Sequence, residues 1–511
     1  MKRKSKFIYN GLLLSAVGLA MRGTQLMFGA YVARTLGADG VGLNTLVMMV
    51  YSFALTLATA GISLTVTRLV ASMMGEGRSD DIGQLVRGAL LYATAFGILS
   101  TVLLLLLSRF IGECIIGDTV SVTALRILAF SLLPSALSSV IIGYFVAKRR
   151  VTLNSLAQVL CQLFRIALTV LLLTRSGQNP ISMLAFGVTA SELVALIVLL
   201  PAFLAEGRAL NGKHGTLLSD VSKMALPLGI SAYLRSALLT LEHNLIPKSL
   251  IRHGENATDA LSSYGYLHGM ALPFILYPMT PLTSFSGLLV PEFAEEKGRE
   301  NTGKMASIAT RALNLTLSYA VCSAVLIFAF STEFGYAVYA SFDAGKYIAM
   351  LAPVIPIMYL DHVADAILKG IGEHVYSMWV NILDAILSIV LVLTLIPIMG
   401  ISGYAVVIVV MEVFNFALSA VRLYARIKFR IDLFGALCLP ALLMTLAAFV
   451  AKTVLGGAFE TRPLLSIFLR VLLAICLYIG TRVAFLLTRS AIISTKKPIL
   501  CKKIHTKKLG N

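Results

Sequence analysis

The informative side chains of this sequence are the ionisable ones set inside long apolar runs. Three are arginines: Arg22, Arg165 and Arg235. An arginine in hydrocarbon costs about 2.5–3.5 kcal/mol on insertion scales, so each needs a reason to be there. A guanidinium fork matches pairs of phosphate or carboxylate oxygens. The chemistry open to the three is therefore reception of an anionic group in a polar cavity. Arg165 also has a structural reading, because Glu192 falls at similar depth on the next predicted helix and could pair with it. For Arg22 and Arg235 no acid stands at matching depth nearby, which favours the cavity. Arg34 and Arg126 lie near helix ends and can reach the interface with their tips.

The acids concentrate later in the chain, at Glu242, Asp361, Asp365, Asp384 and Glu412. Two carboxylates in a low dielectric cannot both ionise unless a cation or a proton is shared. Glu242, Asn381, Asp384 and Glu412 thus form a candidate coupling site for Na⁺ or H⁺. The alternative is a set of acids lining a wet cavity. Asp361 and Asp365 are four residues apart on one helical face, and Asp365, close to the helix end, reads as facing the loop.

The elements that must position these groups are membrane helices. Of 511 residues, 58% are hydrophobic and only 13% charged, where soluble domains carry about a quarter. The apolar residues come in runs long enough to cross about 30 Å of hydrocarbon at 1.5 Å per residue. Fourteen spans are predicted, at roughly 9–34, 42–69, 86–108, 119–147, 153–174, 181–204, 224–246, 263–290, 306–330, 346–369, 374–397, 402–425, 433–453 and 464–487. The formal net charge of +18 sits mainly in alternate loops and at the ends. With a cytoplasmic N-terminus, roughly 30 Lys and Arg fall inside and roughly 9 outside, which suits an even number of spans and both termini in the cytoplasm. That distribution argues for a membrane and against nucleic acid. The basic N-terminal segment reads as part of a retained first helix rather than a cleaved signal.

Spans 1–6 and 7–12 resemble one another weakly. Pro134 corresponds to Pro356, Arg22 to Arg235, and Glu192 to Glu412. Both repeats start inside, which relates them by an axis along the membrane normal. The expected fold is all-α: two six-helix lobes in a parallel pseudo-two-fold repeat, plus two extra C-terminal helices. The expected divisions are an N-lobe at 1–205, a cytoplasmic linker at 206–223, a C-lobe at 224–427, helices 13 and 14 at 428–490, and a basic tail at 491–511 that either lies on anionic lipid or is a disordered solubilising tail. Prolines 273, 278 and 281 in span 8, and 353 and 356 in span 10, should bend those helices. The six cysteines form no metal or disulfide pattern. No Walker sequence or catalytic motif is present, and no large loop could carry an enzyme's catalytic set. No cofactor and no metal site are expected, and the chain should act as a monomer.

Several stretches carry a family resemblance. Ala33-Arg34-Thr35-Leu36-Gly37-Ala38-Asp39-Gly40-Val41-Gly42-Leu43 closely resembles the turn between the first two helices of the stage V sporulation protein B family. Gly61-Ile62-Ser63-Leu64-Thr65-Val66-Thr67-Arg68-Leu69-Val70-Ala71 is similar to the end of its second helix, with Ser63 where the family usually has proline. Leu289-Val290-Pro291-Glu292-Phe293-Ala294-Glu295 and Leu368-Lys369-Gly370-Ile371-Gly372 are similar to the ends of its eighth and tenth helices. The family belongs to the multidrug/oligosaccharidyl-lipid/polysaccharide flippase superfamily. The resemblance implies fourteen helices, alternating access and a substrate that is an undecaprenyl-linked peptidoglycan precursor or polysaccharide repeat unit. It implies a diphosphate as the partner of Arg22, Arg165 and Arg235. Arg22 matches a basic position of the lipid II branch; Phe28 stands where that branch often has a second arginine. The other readings are a drug or metabolite cation exporter of the same superfamily, and an integral-membrane glycan enzyme.

Overall fold

A computed structural model of the chain describes residues 2–59, 61–148, 150–175, 179–206, 217–456 and 463–507. Helices dominate because the chain runs apolar for long stretches with its backbone groups satisfied within each segment, the condition for crossing a layer without water. In chain order they are α1 (Lys2–Thr59), α2 (Ile62–Gly75), α3 (Ile82–Phe110), α4 (Thr119–Ala147), α5 (Val151–Arg175), α6 (Pro180–Ala205), α7 (Leu218–His253), α8 (Ala257–Tyr264) and α9 (Leu272–Leu276). There follow α10 (Thr280–Gly298), α11 (Thr302–Ala329), α12 (Ser331–Tyr339), α13 (Phe342–Leu351), α14 (Ile355–Gly370), α15 (His374–Met399), α16 (Ile401–Arg426), α17 (Leu439–Val454) and α18 (Pro463–Lys507). There is no strand among the described residues.

Among the described residues, thirteen stretches are long and apolar enough to cross a membrane. The first, Ala20–Gly75, is 56 residues long, far more than the ~20 residues one crossing needs. It contains two interruptions. Gly37 stands at φ 77, ψ 176 inside α1, at the turn predicted between spans 1 and 2. Gly61 follows α1 at φ 77, and a Cβ there would lie 2.5 Å from the Ala225 carbonyl oxygen. Both positions need the left-handed backbone freedom of glycine, and the second also needs its lack of a side chain. The outward surfaces are apolar: Leu106 is 73% exposed, Ile398 74% and Phe449 67%. Such exposure suits hydrocarbon rather than water.

The helix changes type at Pro278 and Pro353, two of the prolines expected to bend it. Tyr277–Met279 around Pro278 and Ala352–Val354 around Pro353 are 3₁₀ turns, and Gly265–Ala271 is a π-helical turn. The predicted span 8 is therefore a chain of short helices rather than one rod. The nine-residue α12 between spans 9 and 10 has no counterpart among the predicted spans.

The chain divides into two compact units. Unit 1 comprises Met1–Ser284 and Gly372–Leu418; unit 2 comprises Phe285–Ile371 and Ser419–Asn511. In unit 1 a continuous core runs from Leu43 on α1 to Ala225 on α7 and includes Leu85, Leu128, Val140 and Phe145, with α4 central to it. In the same unit α7 packs on α15, and α1 packs on α8 and on the π-helical turn. In unit 2, α11 packs on α14 and α17, and α17 on α18. Its smaller cluster gathers Phe330, Ala337, Ala448, Ala451, Ile467 and Ala474. Of the linker predicted at 206–223, residues 207–216 lie outside the described residues, as do the side chains of the basic tail.

Candidate functional site

Helices α1, α4, α5 and α6 line a cavity of about 580 Å³, within the ~300–1,000 Å³ range of small-molecule sites. Its wall is unusually polar for a membrane bundle. From α4 come Ser135, Ser138 and Ser139; from α5 Asn154, Gln158, Gln162 and Arg165; from α6 Ser191 and Glu192; from α1 Gln25 and Thr59. The polar positions on α5, at 154, 158, 162 and 165, follow the i, i+4, i+8, i+11 spacing of one helical face. That spacing brings all four to one wall.

The wall is held by cross-helix hydrogen bonds. The Gln162 amide donates to the Met21 carbonyl at 2.8 Å and to Thr24 Oγ1 at 2.7 Å, tying α5 to α1. The Ser135 hydroxyl donates to Glu192 Oε2 at 2.8 Å, tying α4 to α6. Behind it, Ser131 Oγ and the Tyr51 hydroxyl are 2.8 Å apart.

Arg165 lies in the cavity wall with its guanidinium carbon 6.0 Å from the Phe28 ring centre, a cation–π distance. Its Nε is buried and has no hydrogen-bond partner among the described residues. Buried polar atoms are normally satisfied, so this donor is spare capacity. Arg165 and Glu192 share the cavity, but the bond to Glu192 comes from Ser135. Phe28, the position where the resembling branch often carries an arginine, instead supplies a face for Arg165.

Arg22 and Arg235 are elsewhere. Arg22 is exposed on α1, with Nη1 3.4 Å from Thr280 Oγ1. Arg235 is exposed on α7 and makes no hydrogen bond or ion pair with the described residues. Neither lines the 580 Å³ cavity.

Of the four candidate coupling residues, Glu242 is the most buried, at 8% exposure, and accepts a bond from Ser388 Oγ at 2.6 Å. Asp384, one turn before Ser388 on α15, is close enough for its charge to act on Glu242. Asn381 donates its amide to the Ser377 carbonyl of its own helix at 2.7 Å. Glu412 is half-buried on α16. In unit 2, Asp365 pairs with Lys369 of its own helix at 2.5 Å. No group of three or more His, Cys, Asp or Glu arranged for a metal ion occurs among the described residues.

Ser135, Ser388 and Gln162 are not among the residues that sequence reasoning singles out. Serine and glutamine in apolar helices carry little signal alone, since a serine can bond to its own helix. The polar stripe of α5 is the clue the sequence holds.

A charged cluster stands after α6. Glu206, just after α6, takes Lys148 as an ion pair, Arg150 Nη1 at 2.6 Å and the Tyr144 hydroxyl at 2.9 Å. Burial pushes the Glu206 carboxyl up, but the bonds from Lys148 and Tyr144 and the Lys148 and Arg150 charges outweigh it. The group titrates below its ordinary range.

Residues 7–297 match the family described as "Polysaccharide biosynthesis protein". The chain belongs to that polysaccharide biosynthesis protein family. Residues 254–394 also match the MatE family. Among curated relatives of this family member, "Stage V sporulation protein B" of Bacillus subtilis (strain 168) is 25% identical over 420 residues, covering 80% of the chain and 81% of the relative. "Sporulation protein YkvU" of the same organism is 21% identical over 395 residues, covering 75% and 87%. Among solved structures, one described as "Lipid II flippase MurJ, inward closed conformation" superposes with a TM-score of 0.69 at 14% identity, over 95% of the chain and 99% of its own. An inward-facing multidrug resistance MATE family transporter of the MOP superfamily superposes at 0.65 and 15% identity, over 80% and 98%. The chain is thus a multi-pass membrane protein with the fold of these transporters, and its relatives are described as transporters and sporulation proteins rather than enzymes.

Proposed function

We propose that the chain is a flippase of the cytoplasmic membrane that moves an undecaprenyl-linked sugar or peptidoglycan precursor from the inner to the outer leaflet. The observation that carries this reading is the cavity of the first bundle: hydroxyls and amides that suit a glycan, beside Arg165 with an unused donor. A lipid-linked headgroup is polar and anionic, and its tail can stay in the bilayer. The protein need only offer the headgroup a polar path that opens to one side at a time. The relatives described as a sporulation protein and a lipid II flippase support the substrate class.

In this reading the repeats at 1–205 and 224–427 are two lobes that rock about the substrate path, and 428–490 adds helices 13 and 14. Counting Gly37 as a turn between two crossings gives fourteen helices. Both termini are cytoplasmic, the tail at 491–511 lies on anionic lipid, and the protein works as a monomer. Arg165 takes the diphosphate within the first lobe, and Arg22 and Arg235 take it along the path. Glu242, Asn381, Asp384 and Glu412 couple the cycle to Na⁺ or H⁺.

Glu192 in the same cavity and the MATE-like fold favour one second reading, export of an organic cation. The deciding experiment is flipping of undecaprenyl-diphospho-sugars in proteoliposomes by wild type, Arg165→Ala and Arg22→Ala. Transport by wild type and its loss in the variants is expected. Export of cationic dyes with no movement of these lipids would establish the second reading instead.

A further inference from the structure

Beside Glu242, unit 1 contains a cluster of titratable side chains that the diphosphate path does not use. His243 follows Glu242 on α7, Tyr264 ends α8, His268 lies on the π-helical turn Gly265–Ala271, and Tyr404 is on α16. His243 Nδ1 and the Tyr264 hydroxyl share a hydrogen bond of 2.8 Å. His268 Nε2 and the Tyr404 hydroxyl share one of 2.7 Å. The two imidazoles have ring centres 4.5 Å apart, and the Tyr264 ring lies 4.8 Å from His268. Tyr264 is fully buried and Tyr404 is 3% exposed. The Glu242 carboxylate is near enough for its charge to act on both phenols.

The surroundings are limited. From α15, Ser388 donates to Glu242, and Asp384 is near enough for its charge to act there. From α1, the backbone at Ala38 and Gly42 and the Val41 side chain approach the π-helical turn around Gly265 and Gly269, and none of these is titratable. The cluster is thus two imidazoles, two phenols and a carboxyl pair, with Tyr264 and Tyr404 buried and the two histidines half-buried.

We infer that this cluster is a proton-binding site, with Glu242, His243 and His268 as its carriers, and that the ion driving the cycle is H⁺. The inference rests on reading the chain as an ion-coupled transporter and names the ion. Imidazole is the side chain whose charge ordinarily changes between about pH 5 and 8. Imidazole and phenol each both donate and accept. A proton binding at the free ring nitrogen gives an imidazolium whose N–H groups donate to the Tyr264 or Tyr404 oxygen. The net change is one bound H⁺, with no bond to carbon altered and no oxidation. The polar atoms of the cluster bond mainly to one another through N–H and O–H groups, an arrangement that suits protons better than the several free oxygens a metal cation needs. A π-helical turn adds a residue to the helix and re-aims the side chains beyond it, and such turns are frequent at functional sites. Ionisable groups buried in membrane helices are costly enough to point to function.

The test uses the full chain in proteoliposomes with an undecaprenyl-diphospho-sugar, under a pH gradient or a Na⁺ gradient, with a lumenal pH dye. Wild type should flip faster under the pH gradient and move protons with the lipid. His268→Gln and Tyr404→Phe, which keep the size of the side chain, should bring the rates at about pH 6 and about pH 8 to within about twofold of each other. A wild type indifferent to pH but driven by Na⁺ would overturn the inference and leave the flippase reading intact. Should no lipid move under any gradient, the flippase reading fails, and ¹⁵N titration of His243 and His268 in nanodiscs still decides the proton site. Shifts of the two that move together between about pH 4 and 8, and that Glu242→Gln alters, support it; independent or absent titration overturns it.

Discussion

The Ser135 hydroxyl donates to Glu192 across 2.8 Å between α4 and α6, and this bond, rather than an ion pair with Arg165, holds the Glu192 carboxylate in the cavity wall. Ser135→Ala would leave that acceptor unmet in a confined site. A net loss of about 1 kcal/mol is expected, read as a lower thermal midpoint of the purified protein in detergent. Ser135→Thr should retain most of the stability.

The Nε–H of Arg165 has no acceptor among the described residues. Hydrogen bonds to charged groups are worth about 1.5–3 kcal/mol, so Arg165→Ala should weaken lipid-diphosphate binding by about 10- to 100-fold. Arg165→Lys keeps the charge but loses the planar fork and should recover only part of the affinity. Direct binding of a short-chain polyprenyl diphosphate to detergent-solubilised protein measures both.

Gly61 combines φ 77 with a backbone contact that leaves a Cβ only 2.5 Å from the Ala225 carbonyl oxygen. Gly61→Ala must strain the backbone by about 1–3 kcal/mol and push α7 away as well. The expected outcome is a sharp fall in monodisperse yield on fluorescence-detected size exclusion. Gly75→Ala, at a glycine with open space around it, is the control and should express like wild type.

Glu206 titrates below its ordinary range because Lys148, Tyr144 and Arg150 converge on it, against the upward push of burial. A carboxyl with a depressed folded pKa adds stability that is present in full above its unfolded pKa of about 4.3. That stability is lost as pH falls through the lower folded value. Thermal midpoints of wild type should therefore drop on acidification through that window, and Glu206→Gln should flatten the drop while lowering the midpoint at neutral pH.

Much of the architecture is legible in the amino-acid sequence. Long apolar runs demand helices, because backbone groups in hydrocarbon must bond within their own segment. The Gly37 turn and the prolines of span 8 announce interruptions, since glycine and proline change what the backbone itself can do. Arginines and acids at membrane depth mark where function could sit, because the residue type alone tells that each must find a partner, a proton or a wet cavity. What tertiary structure alone decides is partnership. Arg165 and Glu192 share a cavity, yet Glu192 bonds to Ser135 and Arg165 faces Phe28. Glu242 meets Ser388, and His268 reaches Tyr404 across 136 positions of chain. The pattern of a helix tells which residues share its face, but not the rotation and depth at which that face meets another helix. Those are set by packing over the whole bundle, and they determine which polar atoms come within hydrogen-bond reach.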